Sequence, residues 1–199
     1  MKTYEWKLKD ILMTAICAVL FGVVFLGATY AGGILYGILT PAGLGSLGYE
    51  PFYGIYFMAG AFGIYVMRKP GTGIVAEMLA AIIECLLGNY FGPVIILSGL
   101  VQGLGFELIF ALKKYKKFDT VTMVQAAVIC SCLTMVYNLV ISGYHLIAVP
   151  VLLLMLAVRI VSAVVIDGFV TRVLADGLAR AGVLKSYAIG QGMTADLED

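Results

Sequence analysis

The sequence predicts an all-α integral membrane protein of six transmembrane helices, with both termini in the cytoplasm. Three observations predict it. First, of 199 residues 62% are hydrophobic and 13% charged, with a mean hydropathy of +1.02, whereas a soluble domain is about half apolar and about a quarter charged. Second, apolar runs approaching the roughly 20 residues of a membrane span recur along the chain, separated by polar or Gly/Pro breaks. Third, the cations sort to one side of those runs. A water-soluble enzyme, a disordered tail and a nucleic-acid binder are thereby largely excluded. No ten-residue alternation recurs, which argues against a β-barrel.

The first run extends roughly from Ile11 to Tyr30. It is longer than the apolar core of a signal peptide, and Tyr30-Ala31 is a weak cleavage site. The second follows Pro51 and reaches Met67. The third goes from Ile74 to about Leu87 and is broken by Glu77 and Glu84. The fourth starts at Pro93 and stops at Leu112, and the fifth covers Val121 to Ile141. The sixth begins near Leu146 and continues past Val170 towards Leu178. Residues 1–185 form the membrane domain in this reading, and 186–199 a polar cytoplasmic tail.

The orientation comes from Lys and Arg. With the N-terminus inside, Lys2, Lys7, Lys9, Arg68, Lys69, Lys113, Lys114, Lys116, Lys117, Arg172, Arg180 and Lys185 all fall on the cytoplasmic side. Only Arg159 lies within a run, and the loops at 31–50, 88–92 and 142–148 hold no Lys or Arg. This is a strong positive-inside pattern.

Familiar chemical motifs give little. Gly43-Leu-Gly45-Ser-Leu-Gly48 spells G-x-G-x-x-G, but it lies in an outer loop rather than between a strand and a helix. No Walker A, H-E-x-x-H or G-x-S-x-G sequence occurs, and His145 is the one histidine. Cys17, Cys85, Cys130 and Cys132 all sit in apolar runs and read as packing residues. No catalytic set, metal site or cofactor is expected.

Ionisable groups at membrane depth are functional candidates by default. On the inner side, Glu77, Glu107 and Asp167 read chiefly as interhelical glue, and Arg159 could serve Glu84 or the backbone. Glu84 differs because it lies near the outer end, beside Asn89 and Tyr90. Tyr53 and Tyr56 follow the first outer loop, and Asn138, Tyr144 and His145 flank the third. Gln102 lies near the middle of the fourth run. Such a cavity would suit a flat, preferably cationic heteroaromatic ligand. Rings supply stacking area, a carboxylate favours positive charge, and Asn, Gln and Tyr read ring nitrogens and an exocyclic amine. Thr14, Ala18 and Gly22 form a small-xxx-small ladder that serves either packing within the chain or docking of a membrane partner.

Five short segments carry a family resemblance: Trp6-Lys-Leu-Lys-Asp10, Arg68-Lys-Pro-Gly71, Glu84 through Pro93, Arg159-Ile-Val-Ser-Ala163, and Leu-Ala-Arg-Ala-Gly182. In this order, on a six-span plan, the chain resembles the substrate-binding S component of an energy-coupling factor (ECF) transporter. It is most similar to the YkoE type, linked to thiamine and its hydroxymethylpyrimidine precursor. The resemblance implies a multi-pass subunit of a bacterial cell membrane that captures a vitamin from outside. A transmembrane coupling subunit and ABC ATPases would supply the energy. It also implies that Thr14, Ala18 and Gly22 sit where such proteins carry a docking motif. Thiamine-binding relatives stack the ligand on tryptophan. Here the single Trp6 is on the cytoplasmic side, so Tyr or Phe would take that role. Riboflavin or biotin as ligand, a stand-alone secondary transporter, and an intramembrane enzyme using Glu77 and Glu84 are the alternatives.

Overall fold

The computed structural model describes residues 5–195, whose regular elements are all helical, with no strand among them. Helix α1 (Leu8–Leu39) has 32 residues and is about 48 Å long. Its start is fixed by Asp10, whose carboxylate accepts the Lys7 N–H at 2.7 Å and pairs with Lys69 at 2.5 Å. It extends well past Tyr30, through residues expected to be loop. A 3₁₀ segment, Gly45–Phe52, folds back along it. Gly48 makes that approach possible, since a Cβ there would stand 2.4 Å from the Tyr36 backbone nitrogen. The G-x-G-x-x-G spelling is thus a packing device.

The second run is broken into two helices, α2 (Tyr53–Tyr56) and α3 (Met58–Met67), joined at Phe57. Residues Ala59 through Met67 are all buried, so α3 is the centre of the bundle. Around it lie α4 (Thr72–Leu86), α5 (Val94–Leu112) and α6 (Thr120–Ile141). The sixth run starts at α7 (Val149–Ala163), where Pro150 occupies the first turn. It passes through a π-helical stretch, Val164–Val170, into α8 (Thr171–Arg180).

Four helical stretches are long and apolar enough to cross a membrane: Leu8–Ala42, Val94–Leu112, Thr120–Ile141 and Val149–Arg180. The other two apolar runs are helical but shorter than the roughly 20 residues of a full span.

The segments rich in Lys and Arg gather at one end. There Trp6 Nε1 donates to the Pro70 carbonyl at 3.3 Å, and Arg68 lies 5.0 Å over the Phe118 ring. At the other end Tyr49 and Tyr90 share a hydrogen bond of 2.8 Å, and Tyr137 reaches the Val94 carbonyl.

Two features noted in the sequence pack within the chain. Of the residues expected to form a polar cytoplasmic tail, 186–199, the described ones pack against the bundle. Tyr187 donates to the Lys9 carbonyl at 2.9 Å, and Ile189, in α9 (Ala188–Ala195), is buried in the main core. The apolar Leu184, Tyr187 and Ile189 explain the docking; residues 196–199 lie outside the described residues. The ladder of Thr14, Ala18 and Gly22 is also not an open docking face, because all three are buried within the chain. A Cβ at Gly22 would meet Ile83 Cγ2 at 2.7 Å, so small residues here let α1 close on α4. The Thr14 hydroxyl is taken by the Asp10 carbonyl at 2.8 Å.

Candidate functional site

At the end poor in Lys and Arg, the helices enclose a cavity of about 310 Å³. Seven of the expected ligand residues line it: Glu84, Asn89, Tyr53, Tyr56, Gln102, Asn138 and Tyr144. Tyr90 and His145 are not among the lining residues. Tyr90 braces the wall from behind, donating to the Thr29 carbonyl at 2.8 Å. His145 is exposed, with Nδ1 against the Leu139 carbonyl at 2.9 Å.

Aromatic rings dominate the walls. Phe25, Tyr36, Tyr49, Phe91 and Tyr137 join the three expected tyrosines, and no tryptophan takes part. Phe25, Thr29 and Tyr36 come from one face of α1, at spacings of four and seven residues. Sequence reasoning missed them because α1 is apolar all round. The only available signal was that helical spacing.

Glu84, in the last turn of α4, is only 4% exposed. Its Oε1 accepts the Thr29 hydroxyl at 2.7 Å and the Asn89 side-chain amide. Asn89 is held in turn by the Phe91 N–H, which donates to its Oδ1 at 2.7 Å. Both bonds fall on Oε1, which leaves Oε2 for a ligand. No cation pairs with Glu84 among the described residues.

Arg159 does not serve Glu84. It forms a two-pronged pair with Glu50, Nε to Oε2 at 2.7 Å and Nη2 to Oε1 at 2.8 Å. Both side chains are 0% exposed. Nη1 reaches Thr134 Oγ1 at 3.2 Å, and the Tyr144 hydroxyl donates to Glu50 at 3.4 Å. The guanidinium carbon lies over Tyr53, 3.6 Å from the ring centroid, and the Tyr53 hydroxyl accepts the Asn138 amide. The pair therefore stands behind the cavity wall. Glu50 escaped notice because its run of sequence reads as an exposed loop; the 3₁₀ fold-back carries it inside.

The remaining acids are helix caps more than partners for one another. Glu77 Oε2 accepts the Gly60 N–H at 2.5 Å, in the first turn of α3. Glu107 Oε1 accepts the Gly73 N–H at 2.9 Å, in the first turn of α4, while Tyr115 donates to its Oε2 at 2.5 Å. A helix that begins inside a bundle exposes N–H groups that no water can reach, and a carboxylate from a neighbouring helix satisfies them. Gln102 joins this network. In the orientation that satisfies both ends of its amide, it donates to Glu77 Oε1 at 3.0 Å and to the Tyr56 carbonyl at 2.8 Å, and accepts from Ser98 at 2.8 Å. Asp167 is fully buried in the π-helical stretch, with Thr171 3.4 Å from Oδ1.

Comparison with known proteins places this architecture. Residues 9–133 match the family model described as "ABC-type cobalt transport system, permease component". The chain is 37% identical over 187 residues to the "Putative HMP/thiamine permease protein YkoE" of Bacillus subtilis (strain 168), covering 94% of this chain and 92% of that one. A crystal structure of an S-component of an ECF transporter superposes with a TM-score of 0.92 at 36% identity, covering 98% of this chain and 96% of the other.

Proposed function

The chain belongs to the YkoE-type S components of ECF transporters, and we propose that it captures thiamine or its hydroxymethylpyrimidine precursor from outside the cell. The carrying observation is Glu84: a carboxylate 4% exposed, with no cationic partner among the described residues, in a cavity walled by rings. An isolated buried carboxylate is costly, and a cationic ring seated against it offsets that cost. The about 310 Å³ of space is at the lower end of small-molecule sites. Its remaining polar groups are amides and hydroxyls, a set that reads a planar nitrogen heterocycle. Among the described residues no three of His, Cys, Asp and Glu gather in a way that could hold one metal ion.

In this reading the chain spans the membrane six times, with both termini and the Lys/Arg-rich end in the cytoplasm. A transmembrane coupling subunit docks on α1, and ABC ATPases supply the energy; the chain itself performs no catalysis. Since Thr14, Ala18 and Gly22 face inward, docking falls to the exposed side of α1 that adjoins them, around Ala15, Val19 and Gly27. The space above Gly27 is open, with nothing within 4 Å of a Cβ.

Calorimetric titration of the purified, detergent-solubilised chain tests the ligand. Thiamine and hydroxymethylpyrimidine should bind, and riboflavin and biotin should not. Binding of riboflavin or biotin alone would overturn the proposal.

A further inference from the structure

We propose that the α5–α6 turn, residues 113–119, forms with Arg68 a site for the headgroup phosphate of an anionic phospholipid in the cytoplasmic leaflet. The proposal uses the cytoplasmic placement of this end and is independent of the cargo.

The turn carries Lys113, Lys114, Lys116 and Lys117 against one acid, Asp119. Its shape is fixed from within. Lys114 and Tyr115 both take left-handed backbone angles, φ 55° and 52°, which residues with a side chain disfavour. Such a pair persists only where its surroundings hold it. Here the Tyr115 hydroxyl is drawn inward to Glu107 Oε2. Lys113 Nζ donates to Thr122 Oγ1 at 2.8 Å and to Gln125 Oε1 at 2.5 Å, which ties the turn to α6. Asp119 is engaged as the cap of α6. Lys114, Lys116 and Lys117 stay exposed on a turn anchored at both ends.

Arg68 adds to the same patch from the end of α3. Its guanidinium carbon lies 5.0 Å from the ring centroid of Phe118, the residue after Lys117. Phe118 in turn stacks on the buried Phe110 at 5.1 Å, so the ring under the cation is itself held. Arg68 Nε has no hydrogen-bond partner among the described residues. The ion pairs among those residues are Lys69–Asp10, Arg159–Glu50 and Arg172–Asp176. Arg68 and the lysines of the turn enter none of them. Cations held together repel one another, and an anion seated among them offsets that repulsion.

Position favours a lipid over an acidic protein surface. Leu112 ends α5 and Val121 stands at the start of α6, and both are exposed. Apolar side chains thus flank the turn on both sides, which places it at the edge of the hydrocarbon, level with the phosphates of the leaflet. Lysine stems lie along such apolar surface and carry their ammonium groups into the headgroup layer. The attraction of each cation to an anionic leaflet falls off within a Debye length, so these cations count only because they stand at that level.

Native mass spectrometry of the full chain in detergent, titrated with dioleoyl-phosphatidylglycerol or dioleoyl-phosphatidylcholine, tests the site. The parent should bind the anionic lipid more tightly. Lys116→Gln/Lys117→Gln should weaken phosphatidylglycerol by roughly fivefold per lysine, about 25-fold together, and leave phosphatidylcholine unchanged. Arg68→Gln should weaken it by roughly fivefold. Arg180→Gln/Lys185→Gln removes as much charge from α8 and the turn beyond it, and should leave phosphatidylglycerol within about twofold of the parent. Equal losses in the two double variants would mean general surface charge and overturn the proposal, as would equal affinity of the parent for both lipids. Inorganic phosphate in excess should not displace the lipid, because it has no acyl chains to rest on Leu112 and Val121; displacement would overturn the lipid assignment. Unchanged phosphatidylglycerol binding in Lys116→Gln/Lys117→Gln, with loss of co-purifying ATPase subunits, would make the patch a protein contact and also overturn it. Thiamine affinity should be equal in the parent and these variants, so a failed lipid test and a failed vitamin reading are separate outcomes.

Discussion

Replacing Arg159 alone by Met should destabilise the protein far more than replacing Arg159 and Glu50 together. Both side chains are 0% exposed and joined by two hydrogen bonds of 2.7 and 2.8 Å. Without the guanidinium, Glu50 keeps only the Tyr144 hydroxyl at 3.4 Å. A buried charge stranded in this way costs about 3–5 kcal/mol, whereas exchanging both partners for well-packed hydrophobic residues of similar volume is often close to neutral. At roughly 2–4 °C per kcal/mol for a chain of this size, Arg159→Met should lower the melting temperature by roughly 6–20 °C. Glu50→Leu/Arg159→Met should stay within about 4 °C of the parent. The assay is thermal unfolding of ligand-free protein in detergent. Equal losses in the single and double variants would refute the reasoning, because the cost would then lie in lost packing and not in an unpaired charge.

Glu84→Gln keeps the shape of the site but removes the charge. Loss of one charged contact of about 1.5–3 kcal/mol corresponds to roughly 10- to 150-fold weaker thiamine binding by calorimetry. On α1, Gly22→Leu should lower thermal stability by about 1–3 kcal/mol, since Ile83 and the Ala80 carbonyl stand within 2.9 Å of the added carbon. Gly27→Leu should leave stability unchanged but reduce co-purification with the coupling subunit; unchanged co-purification would remove that face from the proposed interface. Asp119 caps α6 by accepting the Thr122 hydroxyl at 2.6 Å and the Thr122 N–H at 2.8 Å, and these two bonds hold its carboxyl below the ordinary range. A lowered folded-state value contributes stability above the unfolded value of about 3.9, which is lost as pH falls through the folded value. Asp119→Ala should therefore cost about 1 kcal/mol at neutral pH and progressively less in acid. A difference that grows on acidification would count against the cap.

The outer cluster was legible because its residues are rare in an apolar chain. A Glu, two Asn, a Gln and a row of tyrosines stand out against Leu, Val and Ile, and a polar group at membrane depth needs a partner or a ligand. Seven of the nine residues expected at the site do line the cavity. Tyr90 and His145 share the same end but point elsewhere, because nearness to a loop does not set the direction of a side chain. Thr29 and Phe25 stayed hidden for the opposite reason: nothing distinguishes one face of an all-apolar helix from another.

From the sequence alone came the membrane class, the helical content and the separation of cations to one end. Each depends on composition or on local runs, and a chain this apolar cannot bury its surface in water. Tertiary structure decided the pairings. The ladder on α1 turned inward because α4 could approach only where Gly22 offers no side chain. Arg159 found Glu50 and not Glu84 because the 3₁₀ segment folds back along α1 and carries Glu50 109 positions across the sequence. Buried charges must be satisfied, but which groups meet depends on how the helices pack. The low charged fraction supplied the list of candidates, and only the fold could assign each one its partner.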